Sequence, residues 1–418
     1  RMSKSGVARP KVREPQRGQT SLRFDLPEDL LPSEHPARLL WNVLGAFDLS
    51  PFLADVQSAE HSAGRAELSP RMKLTLWLYA ISQGIGSARE IEARLQTDLA
   101  FRWIVGDLSI GHHALSKFRA EHGAAFDALF TDVISHLMHR GLIDLALLAQ
   151  DGTRVRAAAA APSFRSYGSL LECREQAALH LKAVLAQSSD PSLTKAQRAR
   201  REAAAREFQE RVEAAIDACK AQRESRPDAV ARGSTTDADA RVMKMADGGF
   251  RPGYNVQYGV VGDKFGGPRT IVGVRVTNVG SDLGSVIPMV DAIERRTGVA
   301  PSAIVADSNH ALHEDIRALL ARGIAPVIAA PKARKGRARG ARADRSEPIE
   351  AWRSLLASER GKELSRQRGA LSDLANARQK QTQGMRQFLV RGLPKVMNVV
   401  LLGVLASNLL QHAKMLLG

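Results

Sequence analysis

A change of hydrophobic rhythm near residue 142 constrains this chain more than any other feature. Before it, apolar residues recur at helical spacing. After it, short β-branched runs alternate with helical segments. The first part, residues 27–142, therefore predicts helices only, punctuated by Pro27, Pro32, Pro51 and Pro70. Leu74, Trp77, Leu78 and Ile81 make one stripe, and Ile91, Leu95, Leu99 and Trp103 make another. Residues 116–137 predict one further helix carrying Phe118, Phe126, Phe130 and Ile134. These stripes read most simply as core faces. Residues 110–119 form a short turn and then a helix start bearing Lys117 and Arg119, the outline of a helix-turn-helix DNA reader.

Beyond residue 142 the pattern predicts a first strand over 142–148 that ends at Asp151. Strands over 254–261 and 270–277 follow, then a helix over 283–296. A buried strand at 303–306 opens into Asp307, a helix covers about 311–321, and a strand at 325–330 closes on Pro331. Long helices are expected over 347–382 and 393–416. Three strands followed by strand–helix alternation predict an α/β fold, a mixed sheet flanked by helices. Two insertions interrupt it. Residues 169–226 are rich in Ala, Arg, Glu and Gln, with pairs such as Glu207 and Arg211, and predict a projecting helical hairpin. Residues 332–346 crowd Arg334, Lys335, Arg337 and other cations between Gly and Ala and predict a DNA-contacting basic loop. The expected organisation is a basic disordered tail (1–20), an all-helical domain (21–141), an α/β domain (142–168 and 227–418) and the helical insertion (169–226).

Charge narrows the partner. Lys and Arg total 60 against 44 Asp and Glu, a net +16. That favours a polyanion, nucleic acid first and an anionic membrane surface second. With 44% hydrophobic residues, disorder of the whole chain is excluded. Two cysteines without a C-x-x-C pair argue against a disulfide framework or structural zinc and fit a reducing cytoplasm. The most apolar stretch, 396–410, contains Asn398, Ser407 and Asn408 and falls short of the ~20 residues a membrane span needs. A buried helix is expected there, and no membrane partner.

Asp151 and Asp307, each placed where a strand opens into a turn, are candidate ligands for Mg²⁺ or Mn²⁺, which prefer carboxylate oxygens. Two ions can activate a water or 3′-hydroxyl and stabilise the leaving oxygen of a phosphodiester. A third carboxylate is needed, and the helix after the last strand offers Glu359, Glu363 and Asp373.

With these residues in view, the chain resembles bacterial insertion-sequence transposases of the DDE class, which have an RNase H-like catalytic domain and a helical N-terminal DNA-binding domain. The resemblance rests on D-G-T-R-V-R-A at 151–157, G-G-F-R-P-G-Y-N-V-Q at 248–257, V-T-N-V-G-S-D at 276–282 and V-A-D at 305–307. R-G-L-P-K-V at 391–396 and S-N-L-L at 407–410 extend it. So do S-P-R-M-K-L at 69–74, L-A-F-R-W-I at 99–104 and L-S-K-F-R at 115–119. It implies catalytic, metal-binding acids Asp151, Asp307 and Asp373, with Glu363 the alternative third acid, and two Mg²⁺ or Mn²⁺ ions. It also implies DNA contacts from Arg154, Arg156, Arg368 and Lys380, alongside Lys117 and Arg119. Ser365 stands where that family has Tyr, and Asp373 where Glu is usual. The implied function is cleavage and strand transfer of an insertion sequence by a homodimer on its terminal inverted repeats and double-stranded target, in the bacterial nucleoid. An inactive, transposase-derived DNA-binding protein and a general metal-dependent nuclease are the alternatives.

Overall fold

The computed structural model describes residues 26–54, 67–106, 108–187, 192–225, 227, 230–262, 267–331 and 344–417. The basic tail, and most of the basic loop with Arg334, Lys335 and Arg337, lie outside the described residues. The chain is mixed α/β, with one mixed sheet and many helices.

Six helices come first: α1 (Pro36–Leu44), α2 (Pro70–Ser82), α3 (Ala88–Thr97), α4 (Leu99–Val105), α5 (His112–Glu121) and α6 (Gly123–His139). Their starts are written locally. Pro opens α1 and α2, and Ser69 caps α2 by accepting from the Met72 N–H. Ser87 caps α3 with Glu90 three residues on, and Asp98 caps α4. The stripe expected on α2 is in fact a fully enclosed helix, with ten consecutive buried residues from Met72 to Ile81. The single helix predicted over 116–137 is two. The break falls at His122 (φ −97°, ψ 33°) and Gly123. There a Cβ on Gly123 would lie 2.5 Å from Asn398 Oδ1, so the final helix crosses at the break.

The sheet is built from β1 (Leu148–Arg156), β4 (Arg241–Lys244), β5 (Phe250–Gly262), β6 (Arg269–Thr277), β7 (Ala303–Ala306) and β8 (Ala325–Ile328). Its order is β4-β5-β1-β7-β8, with β6 also pairing with β5 beyond β4. β5 is antiparallel to β1, β4 and β6, whereas β1, β7 and β8 run parallel. β1 starts at Leu148, not at 142, so Asp151 sits inside the strand rather than at its end. Hairpin strand β4 was not expected; its sequence, R-V-M-K, carries one β-branched residue. Between β1 and β4, helices α7 (Tyr167–Ala186) and α8 (Lys195–Ser225) form the antiparallel insertion. They enclose a small core of Leu170, Val212, Ala215, Ile216 and Cys219, and a two-stranded ribbon, β2 (Phe164–Ser166) with β3 (Arg232–Ser234), ties their base.

Helices α9 (Val286–Thr297), α10 (His313–Ala321), α11 (Glu347–Ala357) and α12 (Glu359–Arg368) cover the sheet. The chain continues from α12 through a π turn at Gly369–Asp373, α13 (Leu374–Ala377) and a second π turn at Arg378–Thr382. The last helix, α14 (Leu393–Leu417), is long and apolar enough to cross a membrane by length and composition alone. It is nevertheless a core helix, with 67% of its most apolar window buried between β6 and helices α1, α2, α5 and α6. Its polar residues explain themselves there. Asn408 accepts from the Ile271 N–H and donates to the Ile271 carbonyl, and Gln411 does the same at Arg269. Side-chain amides thus satisfy part of the outer edge of β6, which would otherwise be open to strand addition.

Candidate active site

The acids are gathered by sheet register. β1 and β7 pair in parallel at Leu148↔Ile304 and Ala149↔Val305. The offset is 304 − 148 = 156, and 307 − 151 is also 156. The same offset carried two residues past the last pair brings Asp307, just beyond the end of β7, toward the level of Asp151 inside β1, and the charge of Asp307 acts on Asp151. Alternation puts Ala149 and Asp151 on one face of β1. On that face Ala149 packs with Val305, Val327 and Leu371, so the helix carrying Leu371 lies across the acids.

The two carboxylates are held differently. Asp151 accepts from the Gly152 N–H (2.9 Å) and from Asn376 Nδ2 (2.7 Å). Burial pushes its carboxyl above the ordinary value; the Gly152 N–H opposes this, and the charges of Asp307 and Asp373 add to the rise. Burial also disfavours ionised Asp307, but hydrogen bonds from His310 (2.7 Å) and from the backbone and side chain of Asn309 outweigh it and hold the carboxyl below its usual range.

The third acid is not gathered with the pair. Asp373 is 62% exposed and faces Arg368 at 4.0 Å, although its charge reaches Asp151. Glu363 pairs with Arg366 at 2.8 Å. Among the described residues no three His, Cys, Asp or Glu side chains are grouped to hold a metal. The residue of this helix that touches Asp151 is Asn376, one turn beyond Asp373. The two π turns flank Asn376, and such turns, which reset the helical register, are frequent at functional sites.

Behind the acids runs a buried polar network that the sequence reading missed. Asp282, 3% exposed, accepts from Asn255 Nδ2 (2.8 Å), Gln257 Nε2 (2.7 Å) and Arg154 Nη2 (2.7 Å). A carboxylate only accepts, so it turns the Gln257 amide nitrogen toward itself and the Gln257 oxygen toward His310 Nε2 (3.2 Å). His310 is fully buried, and its other nitrogen meets Asp307. A chain of contacts thus joins Asp307 to Arg154. The one sequence signal was Gly152: a Cβ there would fall 2.1 Å from Gln257 Nε2 and 2.5 Å from Asp282 Oδ1, so the network requires glycine after the acid.

The expected DNA-contacting cations separate on inspection. Arg154 and Lys380 line a cavity of about 430 Å³ with Gly152, Thr153, Lys244 and Asn309. Burial lowers the Lys380 ammonium, while the charge of Asp151 opposes that. Arg156 is exposed at the end of β1, Arg368 is partly exposed, and Lys117 projects from α5, 3.8 Å from Glu121. Arg119 is a correction. It is 8% exposed, donates to the Gly86 carbonyl (2.7 Å) and stacks 4.4 Å over Trp77, and burial pulls its guanidinium down to about 10. It holds α5 to α2 and has no face for DNA, because position 119 lies on the same side of α5 as Leu115 and Phe118. Arg119→Ala should therefore cost about 2 kcal/mol of stability in urea unfolding. The salt slope of DNA binding should stay unchanged, since no phosphate contact is lost.

No curated protein and no solved structure matches the chain. Residues 26–121, from the first described residue through the end of α5, match a family model described as Transposase domain (DUF772), so this helical unit is similar to that family and supports a transposase family for the chain.

Proposed function

We propose that the chain is a DNA transposase with an RNase H-like catalytic domain, which binds terminal inverted repeats and cuts and transfers DNA strands with divalent metal ions. The observation that carries this reading is that the parallel β1–β7 pair brings Asp307, just past the end of β7, close enough to Asp151 for its charge to act on that carboxyl. The sheet supports it. Taken as β6-β5-β1-β7-β8, with only β5 antiparallel to its neighbours, it has the 3-2-1-4-5 plan expected of an RNase H-like core. The similarity of the helical unit to a transposase domain agrees.

The hard oxygens of Asp151 and Asp307 suit Mg²⁺ or Mn²⁺, and a cation there would offset the burial, and secondarily the neighbouring charge, that hold the Asp151 carboxyl above its ordinary value. Asp373 would have to leave Arg368 to complete a set for two ions. Bound metal supplies an activated water or 3′-hydroxyl and stabilisation of the leaving oxygen. The chain's own groups do the rest. His310 and Asn309 fix the Asp307 carboxylate, Asn376 fixes Asp151, and Arg154 and Lys380 offer positive charge to phosphate beside them. Joining two ends requires two copies, so a homodimer on DNA is expected.

A second reading, a transposase-derived DNA binder without chemistry, is favoured by Asn376 rather than a carboxylate meeting Asp151. Incubation of the full chain with its element ends in Mg²⁺ or Mn²⁺ separates the two. End nicking supports the transposase. A gel shift without nicking supports the binder, and cutting of DNA that lacks the ends indicates a general nuclease.

A further inference from the structure

The cavity beside the acids has a composition that the cleavage reaction alone does not explain. It is lined by Gly152, Thr153 and Arg154 of β1, by Lys244, Met245 and Ala246 at the β4–β5 hairpin, and by Gly280, Asn309 and Lys380. Three cations face it and no carboxylate lines it. Arg154 is anchored through Nη2 to the Gly280 carbonyl and Asp282. Lys244 makes no ion pair among the described residues, unlike Lys117, Lys220, Lys362 and Lys414 on other elements of the chain. At about 430 Å³ the cavity falls within the ~300–1,000 Å³ of pockets that take organic ligands rather than single ions.

The hairpin adds an aromatic. Met243 and Met245 are buried and pin it to the body, so alternation turns Lys244 outward. Phe250 is the register partner of Lys244 and is 70% exposed. Cross-strand partners share a face with Cβ atoms about 5 Å apart, so the exposed Phe250 ring stands beside Lys244, a residue that lines the cavity, though Phe250 itself is outside the lining. Elsewhere an exposed Phe has no packing role to play; here it flanks a cationic pocket one residue from a candidate catalytic acid.

We propose that this cavity binds one nucleotide of an unpaired DNA strand, its phosphate among Arg154, Lys244 and Lys380 and its base against Phe250. The inference deepens the transposase reading and rests on it for the identity of the polyanion. The site holds the strand beside the acids and is indifferent to base identity, because every base presents a stacking face.

The test is fluorescence anisotropy of the full chain in EDTA, with a labelled single strand of about 20 nucleotides and a blunt duplex of the same sequence. Lys244→Ala and Phe250→Ala should each weaken strand binding about tenfold, and Phe250→Trp should restore it. Lys244→Ala should also flatten the dependence of log K on log salt by about 0.7, and Phe250→Ala should leave that slope alone. Duplex binding should not change in either variant. Equal losses on strand and duplex, or no loss on the strand, overturn the proposal. So does displacement of the strand by inorganic phosphate at matched ionic strength with Phe250→Ala silent, which leaves only an ion pocket. Both side chains are exposed, so unchanged thermal midpoints are expected as the folding control. EDTA removes every metal-dependent step: a chain that binds the strand in this pattern yet never cuts DNA supports this site while defeating the cleavage reading.

Discussion

Asp151→Ala and Asp307→Ala should each reduce Mg²⁺-dependent end cleavage by more than about a hundredfold while leaving end binding within about twofold. Loss of a mere outer partner of a metal ligand commonly costs ~10–100-fold, so loss of a ligand must exceed that. The same acids should separate in a second measurement, thermal unfolding in EDTA. Asp151 is raised by burial and by neighbouring negative charge. Its favourable contribution is present below the ordinary carboxyl value and is lost as pH rises through the raised one. Asp151→Asn should therefore stabilise the metal-free chain at pH 7, with the gain vanishing toward pH 3. Asp307 is shifted the other way, by His310 and Asn309 against its burial. Its contribution is present above the ordinary value and lost as pH falls through the lowered one, so Asp307→Ala should destabilise at pH 7. Cleavage surviving in either variant would remove the pair from the metal site, and a stabilising Asp307→Ala would mean that His310 and Asn309 do not hold that carboxylate.

That pairing was half legible in the sequence. The β-branched runs around 254–261, 270–277 and 303–306 announced a sheet, and D-G-T and V-A-D marked the acids. Register is a property of pairing, and no local pattern states that residues 148 and 304 lie side by side. Asp373 stood in a well-motivated place, but a helix with two π turns does not keep simple periodicity, so the face presented to Asp151 went to Asn376. Arg119 was misread because a cation near a helix start looks the same whether it meets DNA or Trp77. The network of Asp282, Gln257 and His310 was not legible for a further reason: the contacts that join it together span 25 to 128 residues, and no local pattern pairs such side chains. Lys244 and Phe250 lay in a stretch that did not predict a strand, so their pairing had no sequence signature.

Asp282→Ala should be the most destabilising single change near the site, about 3–5 kcal/mol in urea unfolding, the cost of breaking a buried charge pair from one side. The loss leaves Arg154 Nη2 and the amides of Asn255 and Gln257 without the acceptor they share. Gln257 is then oriented only by its longer contacts with Asn255 and Gln150, so its hold on His310, and through it on Asp307, loosens. Asp282→Asn separates the two consequences. Its remaining oxygen can still take the Gln257 and Asn255 amides, but its nitrogen confronts Arg154, donor against donor. That variant should therefore hold the His310 side of the network and release only Arg154. Its cleavage defect should match that of Arg154→Ala, and the double variant should be no worse than either single one, because both remove the same contact. Additive defects, or Asp282→Asn as costly to stability as Asp282→Ala, would mean that Asp282 merely supports the sheet and does not position Arg154 for phosphate.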